Sequence, residues 1–343
     1  MNKQATNTAA TRPMFVNMPV IRTAKQRLEA ARNLPPIKKL FGEIWQNGEL
    51  HLLFADTGAG KSIMAVQIAD AISKGLRALP LLENENEPAI VLYHDYELSD
   101  RQFFQRYTDE TGNTFDFSEN LRIDNIDFAL MMSENPEIQF VELLQEKIKS
   151  DVEMSKSAYP GKDIVLIVDN ISYLHTQSTI DQQIALSIMR FLDGLKREFG
   201  ISILVVAHTP KIDLNTPLHL NHLAGSKALS NFADGVSAIG KSNAGINFRY
   251  LKQVKPSRNG QMVYDRDNVI ALELVKQDCS LHFIFAGVGH ETDHLSLPES
   301  TTQDDRKMQA LEMHGLGQSL QEISEFLNVG KTTVHRWLKN AKG

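Results

Sequence analysis

One stretch of this 343-residue chain constrains its fold more than any other. The apolar run at residues 50–54 (LHLLF) is followed by residues 55–62 (ADTGAGKS) and then by a helical pattern of apolar residues. A buried strand, a glycine-rich loop and a helix in this order direct backbone N–H groups at one point, where they bind phosphate oxygens. The sequence therefore predicts an α/β sheet with a phosphate-binding loop at residues 55–62 (the phosphate loop).

The residue types of the phosphate loop meet the requirements of a nucleoside triphosphate site. Lys61 is placed to reach the β- and γ-phosphates, and the Ser62 hydroxyl is placed to hold Mg²⁺. Ala55 stands where such a loop usually has its first glycine, but Gly58 and Gly60 retain the backbone freedom that the loop needs. The alternative is a glycine-rich turn that only resembles such a loop. We expect ATP and Mg²⁺ as ligands, with the nucleotide bound by Thr57, Gly58, Ala59, Gly60, Lys61 and Ser62.

The composition excludes several classes of protein. A hydrophobic fraction of 42% and a charged fraction of 23% are those of an ordinary globular chain. The formal net charge of -6 provides no overall positive field, so any contact with nucleic acid must be local. Cys279 is the single cysteine, which excludes an internal disulfide and suits a reducing cytoplasm. The chain has no apolar run that could cross a bilayer and no signal pattern, so we expect a soluble cytoplasmic protein with no membrane partner.

The residue pattern divides the chain into four parts. Residues 1–22 are rich in Asn, Thr, Ala and Pro and are expected to form a mobile arm, and residues 23–287 form the core domain. Residues 288–304 are polar and acidic, which is typical of a linker, and residues 305–343 return to a helical pattern. Within the core we predict helices at residues 24–34, 99–111, 138–154, 181–199 and 225–234 and strands at residues 50–54, 88–95, 121–127, 163–169, 201–207, 235–240, 248–254, 269–275 and 281–285.

Polar residues stand at the carboxyl ends of three predicted strands. Glu97, Asp169 and His208 each end or closely follow a buried apolar run. Ligands bind at the carboxyl ends of the strands in an open parallel sheet, so all three residues are expected near the phosphate loop. Asp169 has the position of an acid that supports Mg²⁺. His208 is expected within reach of a γ-phosphate, and the alternative for His208 is a capping or solvated residue.

Residues 290–294 (HETDH) match the H-E-x-x-H pattern of zinc proteases. That chemistry needs both histidines on the inner face of a long amphipathic helix. The pentamer instead lies between the glycine-rich residues 287–289 and Pro298, which leave no room for such a helix. We therefore expect a polar linker at this point and no metal site.

The last part of the chain has a helical pattern with a basic surface. Apolar residues recur at helical spacing around tight turns at residues 315–317 and 328–330, and a capping pattern at residues 319–322 begins the middle helix. Three short helices with this spacing are typical of a helix-turn-helix, whose last helix enters the major groove of duplex DNA. The alternative is a helical protein–protein module whose charged face is only solvated. The outward-facing DNA contacts are expected to be Lys331, Thr332, Thr333, His335, Arg336 and Lys339.

Taken together, the residues at successive strand ends resemble the RecA superfamily, and most closely its hexameric helicase branch, over residues 36–287. The similar proteins are the RepA-type plasmid replication helicases and the ATPase domain of DnaB. The resemblance implies a RecA-like P-loop core in which a mainly parallel, twisted sheet is flanked by helices. It also implies that Glu97 activates the attacking water, that Asp169 supports Mg²⁺ and that His208 senses the γ-phosphate.

The same resemblance implies roles for two arginines. Arg106 is similar in position to an arginine that lies near the adenine base. Residues 255–260 (KPSRNG) resemble a K-x-R-N-G element whose arginine, here Arg258, reaches into the neighbouring subunit's site, although Lys255 lies one residue further from it than in the family. An arginine supplied in this way can raise the rate by about 10³ to 10⁵. The alternative for Arg258 is an ordinary turn residue before Asn259.

The combined pattern favours an ATP-hydrolysing DNA-binding protein. By the resemblance it forms a homo-oligomeric ring or filament, a hexamer in the helicase branch, with single-stranded DNA at the core and duplex DNA at the helix-turn-helix. The first interpretation is a helicase-like motor in the replication or transfer of a plasmid or other mobile element. The second is an ATP-switched DNA-binding regulator or transposition accessory protein without unwinding activity. A small-molecule kinase is disfavoured because no arginine-rich lid follows the core.

Overall fold

A computed structural model describes the chain at residues 21–32, 34–125, 133, 139–171, 179–209, 212–213, 216–223, 226–258, 260–295, 307, 310–311, 314, 320–326 and 329–340. The chain divides into two compact units, Met1–Ile37 and Lys38–Gly343. The second unit contains a nine-stranded mixed sheet flanked by helices, which confirms the predicted fold class. Within the described ranges, the helices lack the combination of length and apolar character that crossing a membrane requires.

The nine-stranded sheet has the order β11-β10-β9-β8-β3-β7-β6-β4-β5. Neighbouring strands from β8 through β5 in this order are parallel, and β9, β10 and β11 extend the sheet as antiparallel strands. The strands β1 and β2 pair separately with each other. The strands are β1 (Lys39–Phe41), β2 (Trp45–Gln46), β3 (Leu50–Ala55), β4 (Ile90–Asp95), β5 (Leu121–Asn125), β6 (Ile164–Asp169), β7 (Ser202–His208), β8 (Gly235–Lys241), β9 (Phe248–Lys255), β10 (Val269–Gln277) and β11 (Ser280–Gly289).

Among the described helices, one precedes the sheet along the chain, five connect its parallel strands and cover both of its faces, and two follow it. They are α1 (Ala24–Arg32), α2 (Lys61–Lys74), α3 (Asp100–Arg106), α4 (Phe140–Ala158), α5 (Thr179–Phe199), α6 (Ser226–Phe232), α7 (Leu320–Phe326) and α8 (Lys331–Asn340), with short 3₁₀ turns at Leu220–His222 and Glu291–His294.

The central strand β3 shows why the parallel strands are apolar along their whole length. Its side chains alternate, so that Leu52 and Phe54 pack in the cluster that contains residues of α4 and α5, while Leu53 packs in the cluster that contains residues of α2. All six residues of β3 are buried because both faces of the sheet are covered. This packing places the end of β3 beside the ends of β7, β6 and β4 at one edge of the sheet.

Helix α3 is shorter than the helix predicted at residues 99–111. Ser99 caps its first turn, and the helix ends at Arg106. The rings of Tyr107, Phe115 and Phe117 then pack against one another, with the Tyr107 and Phe117 ring centroids 4.9 Å apart. The chain therefore turns back at residue 107 to bury aromatic rings, which outweighs the helical pattern of the following residues.

The boundaries of the predicted parts differ from the structure at two places. Strand β11 continues to Gly289, and the 3₁₀ turn that follows buries Glu291 and His294, which are 2% and 8% exposed. Residues 288–295 therefore pack with the core instead of forming the start of a linker, and the rest of that linker lies outside the described residues. The first compact unit extends to Ile37, beyond the arm expected at residues 1–22, of which residues 1–20 are also not described.

The described residues near residue 343 form the expected helix-turn-helix. Helices α7 and α8 are separated by a turn at residues 329–330, and Val334, Trp337 and Leu338 of α8 pack in one cluster with Ile323 of α7. The predicted contacts on the other side of α8 are exposed, except that Thr333 is half-buried. The capping pattern at residues 319–322 and the turn residue 328 fall partly or wholly outside the described residues.

Candidate active site

The phosphate loop connects β3 to α2 in a conformation that needs its glycines. Gly58 has a φ of +72° and Gly60 a φ of +96°, both in the left-handed region. A Cβ on Gly60 would also lie 2.5 Å from Phe283 Cζ. Arg249 donates from Nε to the Ala59 carbonyl and from Nη2 to the Gly58 carbonyl, each at 3.3 Å. Side chains from β9 and β11 therefore shape the phosphate loop.

Lys61 lies folded against the phosphate loop and is 4% exposed. Its Nζ donates to the carbonyl oxygens of Ala55 at 3.1 Å and Asp56 at 3.2 Å, and it lies 2.9 Å from His208 Nδ1. Burial lowers the pKa of Lys61, and the negative charge of Glu97 acts in the opposite direction. Phosphate oxygens are stronger partners for an ammonium group than carbonyl oxygens are. Lys61 can therefore exchange its hydrogen bonds to the loop carbonyls for contacts with a triphosphate.

Asp169 ends β6 and is completely buried. Burial raises the pKa of Asp169 to about 6, and hydrogen bonding by the hydroxyls of Tyr93 and Ser62 acts in the opposite direction. Tyr93, from the neighbouring strand β4, donates to Asp169 Oδ2 at 2.5 Å. Asp169 Oδ1 is buried and makes no hydrogen bond of ordinary geometry to a described residue. A buried carboxylate oxygen of this kind, close to a serine hydroxyl, fits Mg²⁺, which prefers oxygen ligands.

Asn170 joins Glu97 to His208. Its Nδ2 donates to Glu97 Oε2 at 2.6 Å and lies 2.9 Å from His208 Nε2, and that nitrogen lies 3.5 Å from the same Glu97 oxygen. Hydrogen bonding by His208 lowers the pKa of Glu97, and partial burial acts in the opposite direction. Glu97 is therefore ionised at neutral pH, as an acceptor of a proton must be.

Asp95 holds the turn that carries Glu97. Asp95 Oδ1 accepts hydrogen bonds from the backbone N–H groups of Glu97 at 3.0 Å and Leu98 at 2.9 Å. Burial raises the pKa of Asp95, and these hydrogen bonds and the charge of Arg106 partly offset the rise. Arg106 ends α3, the helix that follows Glu97. Its Nη1 is buried and has no hydrogen-bond partner among the described residues.

Arg258 lies apart from the four other predicted catalytic residues of its own chain. Its Nε is 2.7 Å from Asp234 Oδ1, and Asp234 Oδ2 accepts a hydrogen bond from the backbone N–H of Leu50, at the start of β3. The phosphate loop follows the opposite end of β3, about 17 Å away for a six-residue strand. The Arg258 side chain is 56% exposed. It is therefore accessible from outside its own chain and is out of reach of its own Lys61.

Sequence reasoning missed three residues that shape the site. Tyr93 bonds Asp169 from the middle of a strand, Arg249 bonds the phosphate loop, and Lys241 Nζ lies 2.9 Å from Asp56 Oδ2. Asn170 was visible in the sequence only as the residue after an acid. The lysine and the arginine carry no local signal, because β8 and β9 meet the phosphate loop only in the folded sheet.

Comparisons with known proteins identify two families. The AAA domain matches residues 21–213, and the homeodomain-like domain matches residues 301–343. A search of curated proteins finds no match.

Several solved structures share the fold at low sequence identity. A DnaB-like replicative helicase, solved in a study of its interactions with primase, is 16% identical with a TM-score of 0.51, over 75% of this chain and 64% of that chain. A KaiC-like protein from the archaeon Pyrococcus horikoshii is 15% identical with a TM-score of 0.48, over 74% of this chain and 100% of that chain. A solved ATPase domain is 14% identical with a TM-score of 0.48, over 69% of this chain and 85% of that chain.

The AAA-domain match extends over more than half of the chain and contains the phosphate loop, Glu97 and Asp169. The helicase with a TM-score of 0.51 shows that the sheet has the RecA-type arrangement. The chain therefore belongs to the AAA-domain family, its core has a RecA-like fold, and it carries a homeodomain-like helix-turn-helix domain at residues 301–343.

Proposed function

We propose that this protein hydrolyses ATP in response to DNA and acts as a helicase-like motor of the RecA/RepA type. The observation that carries the proposal is the joining of Glu97 and His208 by Asn170, directly beside Lys61. Family membership supports ATP as the nucleotide. The DnaB-like replicative helicase of similar fold and the homeodomain-like domain support action on DNA. The replication or transfer of a plasmid or other mobile element is the setting that we propose for this motor.

In the proposed reaction, Lys61 leaves the loop carbonyls and binds the β- and γ-phosphates. Water attacks the γ-phosphorus in line, the bond to the bridging oxygen breaks, and ADP and phosphate form. Glu97 accepts the proton of the attacking water, and Asn170 fixes the orientation of the Glu97 carboxylate through its 2.6 Å hydrogen bond. Ser62 and Asp169 would hold Mg²⁺, which would supply positive charge against the phosphate oxygens.

His208 has the contacts of a residue that senses the γ-phosphate. One ring nitrogen lies 2.9 Å from Lys61 Nζ, and the other lies 2.9 Å from Asn170 Nδ2. Lys61 changes its contacts in the proposed reaction, so the state of the nucleotide alters the position of the His208 ring, and Asn170 joins that ring to Glu97. The segment at residues 211–226 follows His208 directly and is the part of the core proposed to move against single-stranded DNA.

The proposed motor works as a homo-oligomer, with a hexamer as the form suggested by the helicase branch. The exposed Arg258 of one subunit enters the site of the next and stabilises the charge that develops on the transferred phosphoryl oxygens. Arg106 lies near the adenine base in this proposal.

We propose one domain boundary after Ile37, where the first compact unit ends. We propose a second boundary after Leu295, because residues 288–295 pack with the core.

A second candidate function is supported by the basic face of α8. The exposed Lys331, Arg336 and Lys339, with Thr332, Thr333 and His335, form a surface that fits the major groove of duplex DNA. An ATP-switched regulator or transposition accessory protein would use this surface to locate a site and would use nucleotide to change its assembly. Such a protein would hydrolyse ATP without separating DNA strands.

The experiment that tests the proposal compares ATP turnover with and without single-stranded DNA and measures strand displacement on a forked duplex. We expect single-stranded DNA to raise turnover and the fork to be unwound. Lys61→Ala is expected to abolish turnover because it removes the phosphate-binding ammonium. Glu97→Gln is expected to lower turnover at least about 100-fold, the usual loss of a general base, and to retain nucleotide binding.

Glu110→Gln provides the matched control, because it makes the same change at an exposed position and should leave turnover unchanged. Normal hydrolysis by Glu97→Gln would contradict the role assigned to Glu97. Stimulation by DNA without strand displacement would favour the regulator or accessory role over the motor.

A further inference from the structure

Glu291, which belongs to the H-E-x-x-H pattern at residues 290–294, binds a loop of the core. Glu291, in the 3₁₀ turn after β11, is 2% exposed, and its Oε2 forms an ion pair of 2.5 Å with Lys252 Nζ from β9. Its Oε1 accepts hydrogen bonds from the Leu218 backbone N–H at 2.8 Å and from the Tyr250 hydroxyl at 3.2 Å. Lys252 Nζ also donates to the Leu218 carbonyl at 3.0 Å. Both backbone polar groups of Leu218 are therefore bound by one buried ion pair.

Leu218 belongs to the segment that follows His208. It lies outside any helix or strand, two residues before the 3₁₀ turn Leu220–His222. Leu218 is itself 3% exposed, so the ion pair and the leucine side chain together fix this point of the segment. The Lys252 and Glu291 side chains and the Leu218 backbone together form the loop anchor.

The loop anchor and the phosphate loop border the same cavity. This small cavity is lined by Asp56 of the phosphate loop, by Asp213 and Leu218 of the segment, and by Leu295 after the 3₁₀ turn. Just before the segment, the Thr209 backbone N–H donates to the carbonyl of Ala55 at 3.2 Å. The chain is thus bound to the nucleotide site ahead of the segment and to the loop anchor at Leu218 within it.

The segment that supplies Glu291 is itself fixed. Asn243 donates from its backbone N–H to the His294 carbonyl at 2.9 Å and from Nδ2 to the Leu295 carbonyl at 2.7 Å. The His294 ring is stacked on Tyr250 at a centroid distance of 5.1 Å, and its Nδ1 lies 2.9 Å from Ser242 Oγ. The 3₁₀ turn that carries Glu291 is therefore fixed to the core, and Glu291 binds the loop that contains Leu218 to this fixed turn.

The chemistry of the loop anchor indicates positioning more than stabilisation. Replacing a buried ion pair by apolar side chains of similar size is often neutral or stabilising, so such a pair adds little to stability over an apolar contact. It does, however, impose one geometry, because both charges must keep their partners. Here those partners are the two backbone groups of a single loop residue.

We propose that Glu291 is a positioning residue for the DNA-stimulated reaction. Through the loop anchor it holds the segment after His208 in the register in which contact with DNA reaches the ATP site. The inference rests on the proposed function, since it concerns how DNA raises turnover. It adds a specific role for residues 291–294, which neither the phosphate loop nor the helix-turn-helix uses.

The test uses the full chain with the double substitution Lys252→Met/Glu291→Leu. Apolar replacement of both partners leaves no unpaired buried charge, but the Leu218 backbone groups lose their partners, so we expect the variant to fold and to unfold at a somewhat lower temperature than the wild type. We expect ATP turnover without DNA to stay within about twofold of the wild type, and stimulation by single-stranded DNA to fall at least about fivefold, the lower range of coupling between sites. The KM for ATP should not change, and hydrogen exchange at the Leu218 amide should become faster.

Two further variants serve as comparisons. Glu291→Gln retains an acceptor for the Leu218 amide but removes the charge that pairs with Lys252, and we expect it to retain part of the stimulation. Lys147→Met/Asp124→Leu removes an ion pair between α4 and β5 and should retain full stimulation by DNA.

A stable double variant that DNA stimulates like the wild type would overturn the inference and leave the proposed function intact. Equal loss of turnover with and without DNA, or unfolding of both the double and the Glu291→Gln variants, would also overturn it, because the pair would then be structural. A wild-type protein that DNA does not stimulate would overturn both this inference and the DNA-dependent part of the proposed function.

Discussion

At residue 51 a histidine is the second residue of the buried strand β3. The ring is 2% exposed, its Nε2 lies 2.8 Å from Ser237 Oγ, and its Nδ1 has no hydrogen-bond partner among the described residues. Burial lowers the pKa of His51 from 6.5 to about 3. The folded core therefore contains His51 as a neutral ring, and protonation of this ring opposes burial of the strand.

His51 makes the stability of the core depend on pH in a defined direction. A histidine with a depressed folded-state pKa contributes stability that is present above its unfolded pKa and is lost as the pH falls towards the folded value. The window here runs from pH 6.5 down to about 3. We expect acidification from pH 7.5 to pH 5 to lower the free energy of unfolding by about 2 kcal/mol more in the wild type than in His51→Gln.

Urea unfolding of both proteins at the two pH values measures this difference. His335→Gln makes the same change at an exposed histidine and should leave the pH dependence of core unfolding unaltered. An equal acid sensitivity of the wild type and His51→Gln would show that the ring accepts a proton without cost in the folded state.

At the scale of elements, the pairing of β8 with β9 depends on one glycine. Gly240 lies directly opposite Tyr250 in the register of the two strands. A Cβ on Gly240 would lie 2.2 Å from Tyr250 Cζ, so the tyrosine ring occupies the space over the glycine. The same ring stacks on His294 and donates its hydroxyl to Glu291. The pairing therefore supports the 3₁₀ turn that packs against it.

Two glycine-to-alanine substitutions should consequently have opposite effects. Gly240→Ala is expected to lower the free energy of unfolding by about 1 to 3 kcal/mol, because the added carbon overpacks the Tyr250 ring. Gly194→Ala, at an exposed position inside α5, is expected to raise it by up to about 1 kcal/mol, because alanine favours the helix and the new carbon has no described neighbour within 4 Å beyond the backbone of its own helix. Urea unfolding curves measure both, and a destabilisation of similar size at the two sites would contradict this account.

At the scale of the whole molecule, the position of Arg258 distinguishes an active site formed within one chain from an active site shared by two subunits. In its own chain Arg258 binds Asp234 beside the start of β3, at the opposite end of that strand from the phosphate loop. A role in catalysis thus requires a neighbour, and a site would contain Lys61 and Glu97 from one subunit and Arg258 from another. Hydrolysis would then depend on assembly.

Mixing two inactive variants tests this arrangement. Lys61→Ala removes the phosphate contact and Arg258→Ala removes the arginine, so each protein alone should have little turnover. In a one-to-one mixture of subunits, about a quarter of the interfaces combine an intact phosphate loop with an intact arginine, and turnover should recover by about that fraction.

The double substitution Lys61→Ala/Arg258→Ala, mixed with either single variant, is the control and should give no recovery. Differently tagged subunits establish that mixed oligomers form. Recovery no greater than the sum of the separate variants, in oligomers shown to be mixed, would exclude an arginine supplied by a neighbour.

Local patterns were sufficient for much of the architecture. The phosphate loop and its flanking strand and helix were predictable because a glycine-rich turn between an apolar run and a helical stripe is read from contiguous residues. The inward Val334, Trp337 and Leu338 of α8 followed from helical periodicity in the same way. Helix α3 was predicted too long, because the aromatic packing that ends it involves Phe115 and Phe117.

The partners of the site residues could not be read from order along the chain. Tyr93 meets Asp169, Asn170 meets Glu97, and Arg249 meets the phosphate loop, across separations of 76, 73 and 190 residues. The pattern at residues 290–294 by itself predicts a linker, although Glu291 binds Lys252 and the Leu218 backbone inside the core. Short-range periodicity and turn chemistry specify helices, strands and turns. The contacts of the site residues arise only when the sheet brings distant strands side by side. That packing determines the charge state and the orientation of each site residue and which partners it can reach.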